Sequence, residues 1–435
     1  MDLFRGLIGL LFLTGVAYLI SSNRKAVQWR VIGIGIAMQI IFGLAIFKVG
    51  FVHDGFEWLS SKFVAFLDFA RQGAMFLFGG LSVNSYNDPT AGHNLGFLFA
   101  FQALPTVIFF SAVTTGLYYL GILQKIVYGF AWVMARTMRL SGSESLSAAA
   151  NIFMGQTEAP LLVKPFIKNM TQSELFCLMT GGMATIAGSV LAVYVGMLGG
   201  ADAASRATFA TYLMCASIMN APAAIVMSKL IFPETQPEKI DSTLRVNKEQ
   251  IGSNLVDALA SGAGDGIKLA LNIGGMLLAF IAIILAINWG LAGIGDLINV
   301  NTIIKESTNG AYSGLSLEYL LGQLFRVFAF FMGVDWSESL QVGSLLGKKM
   351  VLNEFLAYTD LAAFKANGFL SDKAVLISTY ALCGFANFSS IAIQIGGIGG
   401  MAENRKSDLS LLGFKSMLAA FLATMMTATI AGAIF

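Results

Sequence analysis

Two acidic side chains interrupt stretches that are otherwise fit for a membrane. Glu158 ends the string Gly155-Gln156-Thr157-Glu158, and Glu354 follows Asn353. An ionisable group at membrane depth is costly unless it is paired or hydrated, so both are candidates for chemistry. Their neighbours are donor and acceptor side chains, Gln156, Thr157 and Asn353, joined later in the chain by Asn387 and Ser390, with an aromatic ring at Phe385. A carboxylate accepts hydrogen bonds from the adjacent hydroxyls of a sugar, amides read the edge of a heterocycle, and a ring packs on its face. No Arg or Lys stands at either acidic break, so the cluster suits a neutral polyol carrying a planar base better than an anion.

Uphill uptake of such a solute also needs a coupled cation. Na⁺ is a hard ion satisfied by oxygens, including carbonyls freed where helices unwind. Asn151 with the carbonyl of Met154, and Thr185 with the carbonyl of Ile186, are expected to offer such a set. Other chemistry lacks its residues. His53 and His93 are far apart, no GxxxxGK[ST] string exists for ATP, and Gly396 to Gly400 has no strand before it for a dinucleotide. Asn169-Met170-Thr171 reads as a chance glycosylation match on a cytoplasmic segment. Cys177, Cys215 and Cys383 are widely spaced in apolar runs and are read as buried small hydrophobes.

The elements that must position these residues follow from composition. Of 435 residues, 56% are hydrophobic and 12% charged, with a mean hydropathy of +0.73. A soluble domain carries about twice that charge, so an ordinary globular protein, a disordered chain and a small disulfide scaffold are all excluded. A formal net charge of +2 leaves no footprint for nucleic acid. The expected class is an all-α polytopic membrane protein: eight transmembrane helices plus two re-entrant helical hairpins in an inverted repeat, with interfacial helices.

A bilayer core about 30 Å thick needs roughly 20 apolar residues per helix. Eight stretches qualify, near residues 4–20, 32–52, 97–121, 175–199, 208–232, 269–294, 376–400 and 411–434. The first is read as a retained helix, because no small-x-small cleavage site is present and its strongest basic cluster follows it. Residues 143–163 and 341–361 are too polar or short to cross, yet too apolar for loops, and read as re-entrant hairpins. Each is followed by a span with its own interruption, at residues 181–188 and 383–390. Irregular backbone at membrane depth is tolerated where it is buried in protein or lines a wet cavity, which marks a transport site.

Phe56 to Leu77, Val127 to Leu140 and Leu315 to Met332 read as interfacial helices, and residues 233–253 as a mobile cytoplasmic loop with no chemistry of its own. The chain then divides into 1–95, holding scaffold helices 1–2 and an interfacial helix; 96–232, the first repeat; 233–253, the loop; and 254–435, the second repeat. Basic residues favour the cytoplasmic side. An external N-terminus places Arg24, Lys25, Arg30, Lys125, Arg136, Arg139, Lys164, Lys168, Lys229, Lys239, Arg245, Lys248, Arg405 and Lys406 inside, against Lys48, Lys62, Arg71, Arg206 and Lys305 outside. Both termini are therefore expected on the external face of the inner membrane.

Three ordered motifs then resemble those of one family. Ala149-Ala150-Asn151-Ile152-Phe153-Met154-Gly155-Gln156-Thr157-Glu158-Ala159-Pro160 is similar to the first-hairpin signature of concentrative nucleoside transporters. Asn353-Glu354-Phe355 and Cys383-Gly384-Phe385-Ala386-Asn387-Phe388-Ser389-Ser390 resemble the second-hairpin and late-helix motifs. The resemblance runs over nearly the whole chain and is to bacterial sodium-coupled members, without the extra N-terminal helices of animal relatives. It implies a homotrimer in which a scaffold domain holds a transport domain that works as an elevator.

Carried over by motif, Gln156, Thr157 and Glu158 would address the nucleobase. Glu354, Asn387 and Ser390 would hold the ribose, and Phe385 and Leu269 would wall the base, with Val190 near the substrate. Asn151, Met154, Thr185 and Ile186 match the family's sodium site. Thr185 stands where bacterial sodium-coupled members carry serine; the hydroxyl is kept, which favours Na⁺ over a proton. A proton-coupled symporter and a passive channel are the competing readings, and an integral membrane enzyme would want a metal or phosphate site that the sequence lacks.

Overall fold

The computed structural model of the protein describes residues 2–82, 98–200, 202–244 and 252–435, and among these every regular element is helical. The chain opens with α1 (Asp2–Leu19), α2 (Trp29–Lys48), α3 (Gly50–Phe78), α4 (Phe99–Gln102), α5 (Leu104–Tyr119) and α6 (Ile122–Met138). A first group follows: α7 (Gly142–Ala150), α8 (Lys164–Ile167), α9 (Gln172–Ala184), α10 (Gly188–Gly199) and α11 (Ala203–Ile231). α12 (Leu255–Leu297), α13 (Asn301–Ser307) and α14 (Leu317–Phe331) lead to a second group, α15 (Ser339–Val351), α16 (Glu354–Ala366), α17 (Asp372–Leu382), α18 (Phe388–Met401) and α19 (Lys406–Ile434). His93, Arg245, Lys248 and the expected boundary at 95/96 lie outside the described residues.

Among the described residues the eight apolar stretches are mostly helical. Six helical segments among the described residues are long and apolar enough to cross a bilayer, while α1 and α18 are shorter apolar helices. The third stretch is split: α4 is a single turn, and α5 restarts with Pro105 in its first turn, where a missing N–H is no loss. The sixth begins at Leu255 rather than 269, because the Asn254 side chain caps the helix at the Asp257 N–H. Asp257, Asp265 and Lys268 do not break a helix; they only hide its first turns from a hydropathy reading. At about 1.5 Å per residue the 43 residues of α12 extend about 65 Å, roughly twice a bilayer core. The segment expected at 56–77 is part of the 29-residue α3. Those expected at 127–140 and 315–332 belong to α6 and α14.

Both hairpins form, with different arms. Ser141 and Glu144 make a capping box that starts α7. The return arm is only a 3₁₀ turn, Ala159–Val163, and the single turn α8, not a full helical half. Pro160 and Pro165 remove two backbone donors within six residues, which a longer α-helix could not absorb. In the second hairpin α15 and α16 are both 13 residues long, and only Leu352 and Asn353 separate them.

Both interruptions fall within the expected ranges, and each is shorter than its range. Gly181 and Gly182 stay helical, and the chain opens at Thr185-Ile186-Ala187; the later span opens over 383–387. The two openings are joined. The Phe385 N–H donates to the Thr185 carbonyl at 3.3 Å, and Asn220 Nδ2 of α11 donates to the Cys383 carbonyl at 2.6 Å. Gly384 permits the approach, since a Cβ there would stand 2.7 Å from the Ala184 carbonyl oxygen. Burial separates core from periphery: 94% of the apolar window of α9 and α10 is buried, against 17% for α12.

The described part of the loop after α11 is anchored, contrary to its reading as mobile. Glu234 accepts from Thr171 Oγ1 at 2.6 Å, and the Gly142 N–H donates to the Asp241 carbonyl at 2.9 Å. These bonds fasten it over the base of the first hairpin, where Lys229 is ion-paired with buried Glu144 and also donates to Ser173. Cys177, Cys215 and Cys383 are buried free thiols, as expected.

Candidate functional site

The turn of the first hairpin, the tip of the second, and the openings after α9 and α17 converge on one cavity of about 130 Å³, which α12 closes from the side. Gln156, Thr157, Glu158, Val190, Leu269, Glu354, Phe385, Asn387 and Ser390, the nine residues singled out for a solute, all line it. Gly155, Ala187, Ile273, Met276, Asn353, Phe355, Ser389 and Ile393 complete the wall. Ile273 and Met276 lie one and two turns beyond Leu269 on α12, a helical spacing that could have found them.

The polar groups of the second half are held by the starts of helices. Asn353 and Asn387 are N-caps: their Oδ1 atoms accept from the N–H groups of Leu356 at 3.0 Å and Ser390 at 2.9 Å. That duty turns the two Nδ2 groups toward the cavity. Asn387 Nδ2 donates to Glu354 Oε2 at 3.0 Å, whereas Asn353 Nδ2 is buried with no protein partner. The other Glu354 oxygen accepts from Tyr194 Oη at 2.9 Å. Glu354 is 2% exposed, and both oxygens keep lone pairs for a further donor. Glu158 Oε2 accepts from the Gly155 N–H at 3.0 Å, which folds the first-hairpin turn around its carboxyl.

Gln156 Nε2 donates to Ser390 Oγ at 3.1 Å, and Gln394 Nε2 donates both to Gln156 Oε1 at 3.3 Å and to the Met179 carbonyl at 3.0 Å. Tyr194 and Gln394 were not singled out from the sequence. Gln394 had a signal, a lone amide in the apolar run of α18; Tyr194, an aromatic in an apolar helix, had none. Among the described residues no Arg or Lys lines the cavity; the nearest basic residue along the chain to the second break, Lys349, donates to the Ala381 carbonyl at 2.8 Å and to Thr424 Oγ1 at 2.9 Å. It sits in the last turn of α15, five residues before Glu354, and is wholly buried.

The four residues expected to serve a cation form a separate corner beside the first hairpin. Asn151 ends α7, is 1% exposed, and neither its amide oxygen nor its amide nitrogen has a hydrogen-bond partner. Thr185 Oγ1 donates to the Gly181 carbonyl at 2.9 Å. The Gly188 N–H donates to the Phe153 carbonyl at 3.2 Å, which holds the opening that carries Ile186 against the turn that carries Met154. An unpartnered buried amide next to non-helical backbone fits an oxygen-coordinated monovalent ion. Among the described residues no cluster of His, Cys, Asp and Glu could hold a transition metal.

Family models match along most of the chain: "Na+ dependent nucleoside transporter N-terminus" over residues 8–81, "Nucleoside recognition" over 100–201, and "Na+ dependent nucleoside transporter C-terminus" over 212–432. The chain belongs to the concentrative nucleoside transporters. As a member it is a multi-pass membrane transporter and not an enzyme, and Na⁺ is the coupling ion. The transporter is 40% identical to an uncharacterized transporter of Haemophilus influenzae, over 99% of this chain and 98% of that one. It is 38% identical to sodium/nucleoside cotransporter 1 of Mus musculus over 95% of this chain, a match that spans 61% of the longer mouse protein. A solved structure of CNTnw in an inward-facing substrate-bound state aligns with a TM-score of 0.88 at 38% identity, covering 100% of this chain and 98% of that one. A doubly substituted variant of CNTnw in an outward-facing state also aligns at 0.88, with 37% identity over the same shares of the two chains.

Proposed function

We propose that the transporter takes up nucleosides across the inner membrane by symport with Na⁺, through an elevator-type displacement of the two hairpins and the broken helices. The observation that carries this reading is the Glu354 carboxylate, fixed through both oxygens and facing the Gln156, Thr157 and Glu158 turn across one cavity. Glu354, Asn387 and Ser390 bind the ribose hydroxyls, Gln156, Thr157 and Glu158 read the base, and Phe385, Leu269 and Val190 enclose it. Asn151 and Thr185, with the carbonyls of Met154 and Ile186, take the Na⁺. The ion completes the corner that orders the first-hairpin turn, so its arrival and that of the nucleoside favour each other.

One Na⁺ moving through about 100 mV releases about 2.3 kcal/mol. A tenfold concentration gradient adds about 1.4 kcal/mol, and together they sustain an accumulation of several hundredfold. CNTnw, solved facing both inward and outward, supports alternating access for this fold. The homotrimer reading gains support from α12, which exposes Leu271, Leu278 and Leu285 at seven-residue intervals and Trp289 one turn further. Both termini belong on the external side in this reading, as the distribution of basic residues requires.

Reconstitution in proteoliposomes tests the proposal. Labelled uridine should accumulate above the outside concentration only with an inward Na⁺ gradient. Accumulation that follows a pH gradient and ignores Na⁺ would replace symport with sodium by symport with protons, and equilibration without accumulation would make the protein a passive channel.

A further inference from the structure

One side of α18 lies along the first hairpin. Ser390, Gln394 and Gly397 stand at i, i+4 and i+7 on that helix, the spacing of a single face. Gly397 lets the hairpin turn close on it, since a Cβ there would lie 3.2 Å from Thr157 Cγ2. Gln394, in the middle, is fully buried and reaches past Gly182 of α9, where a Cβ would lie 2.6 Å from its Nε2. That nitrogen uses both hydrogens, one on the Met179 carbonyl at 3.0 Å and one on Gln156 Oε1 at 3.3 Å, while Gln394 Oε1 is buried without a hydrogen-bond partner. An apolar side chain of similar volume would fill the space without that orphaned oxygen. What the amide adds is direction.

The direction is forced from one end. A main-chain carbonyl only accepts, so the Gln394 atom on Met179 must be its nitrogen. A donating nitrogen needs an acceptor, so the Gln156 atom on Gln394 must be its oxygen, and the Gln156 nitrogen is left facing Ser390. Gln156 Nε2 accordingly donates to Ser390 Oγ at 3.1 Å. Among the described residues Ser390 Oγ donates to none, so its own hydrogen is free for the cavity that Ser390 lines. Three links, from Met179 through Gln394 and Gln156 to Ser390, thus set which way the hydroxyl presents itself. Glu354 beside it has the opposite character. Both of its oxygens accept, from Tyr194 and Asn387, and the Asn387 amide that donates to Glu354 also accepts from the Ser390 N–H. An acceptor and a donor therefore stand side by side, joined by one amide.

We infer that Gln394 sets the specificity of the sugar site: it fixes the polarity of the Gln156 amide and so makes Ser390 a hydrogen donor beside the acceptor Glu354, a pair that selects a ribose hydroxyl able to donate and accept at once. The inference rests on the proposed nucleoside binding and deepens it. Gln394 is a positioning residue, since it does not line the cavity and acts through Gln156 and Ser390. Without it the Gln156 amide can turn over, and its oxygen then takes the Ser390 hydrogen away from the solute.

Titration calorimetry with uridine, 2′-deoxyuridine and 3′-deoxyuridine at saturating Na⁺ tests this on the native protein and on Gln394→Met, which keeps the volume and removes the amide. In the native protein the analogue that lacks the paired hydroxyl loses a bond to Glu354 and a bond from Ser390, and should bind at least about tenfold more weakly than uridine. In Gln394→Met its loss relative to uridine should be smaller by about 2- to 13-fold, the worth of the neutral Ser390 bond, with the loss for the other analogue unchanged. A purely structural role would weaken all three nucleosides alike, and equal relative losses in the two proteins overturn the inference. So does a native protein in which neither deoxy analogue binds more weakly than uridine. If Gln394→Met does not fold, Ser390→Ala decides: the same analogue's loss should shrink there by the same factor, and a native loss overturns the inference. Failure of the native protein to bind any of the three instead removes the nucleoside reading on which the inference rests.

Discussion

Replacing Glu354 with glutamine keeps the shape of the side chain and removes its charge. In the native site one carboxylate oxygen accepts from Tyr194 Oη at 2.9 Å and the other from Asn387 Nδ2 at 3.0 Å. A glutamine amide can satisfy only one arrangement. Its NH₂ cannot face the Asn387 NH₂, so it must turn to Tyr194, whose hydroxyl then accepts rather than donates. The Oε2 position is kept as a neutral carbonyl, while the Oε1 position loses its lone pairs. A ribose hydroxyl that donated to the carboxylate thus loses a bond to a charged group, which is about 1.5 to 3 kcal/mol. That corresponds to uridine affinity weaker by about 10- to 150-fold. Isothermal titration with uridine at saturating Na⁺ measures it, and the thermal unfolding midpoint checks that the fold survives. Affinity within threefold of native in a folded Glu354→Gln protein would refute the assignment of Glu354 to the ribose.

Three other outcomes are expected. Asn151→Ala removes the unpartnered amide oxygen from the ion corner, so the Na⁺ concentration needed for half-maximal uridine uptake should rise at least about tenfold; unchanged Na⁺ dependence places the ion elsewhere. Gln394→Leu frees Gln156 from one neutral hydrogen bond worth about 0.5 to 1.5 kcal/mol. It should weaken uridine binding by about 2- to 13-fold and change the preference between uridine and adenosine, whereas an equal loss for both would make Gln394 a packing residue. Lys229→Met strands the buried Glu144 carboxylate and should cost about 3 to 5 kcal/mol of stability, read as a lower unfolding midpoint. Adding Glu144→Gln should restore most of it, and the absence of recovery would show that the two side chains act independently.

The sequence disclosed the chemistry of the cavity better than its geometry. Glu158 and Glu354 stood out because carboxylates are costly in apolar runs, and polar breaks marked both hairpins and both broken spans. The length of the return arm of the first hairpin was not legible, because its apolar pattern suits a helix while Pro160 and Pro165 forbid a full one. The start of α12 was hidden because hydropathy weighs Asp257, Asp265 and Lys268 against a span, although none of them resists helical backbone. Lys349 escaped because its distance from Glu354 along the chain said nothing of the carbonyl and hydroxyl that receive it from two other helices. The anchored loop over Gly142 was misjudged for a related reason: polar composition reports solvation, and the bonds made by Glu234 and Asp241 are long-range.

The bond between Phe385 and Thr185, and the close seat of Gly384 on Ala184, tie the two unwound segments back to back. One of them borders the corner around Asn151; the other forms the wall beneath Ser390. On the proposed assignment of ion and solute, a shift of one compartment would draw its neighbour with it, and the two would share a single vehicle. Thermodynamic linkage between the two passengers would then need no relay of rearrangements across the molecule, because a stitch of main chain joins the segments proposed to hold them.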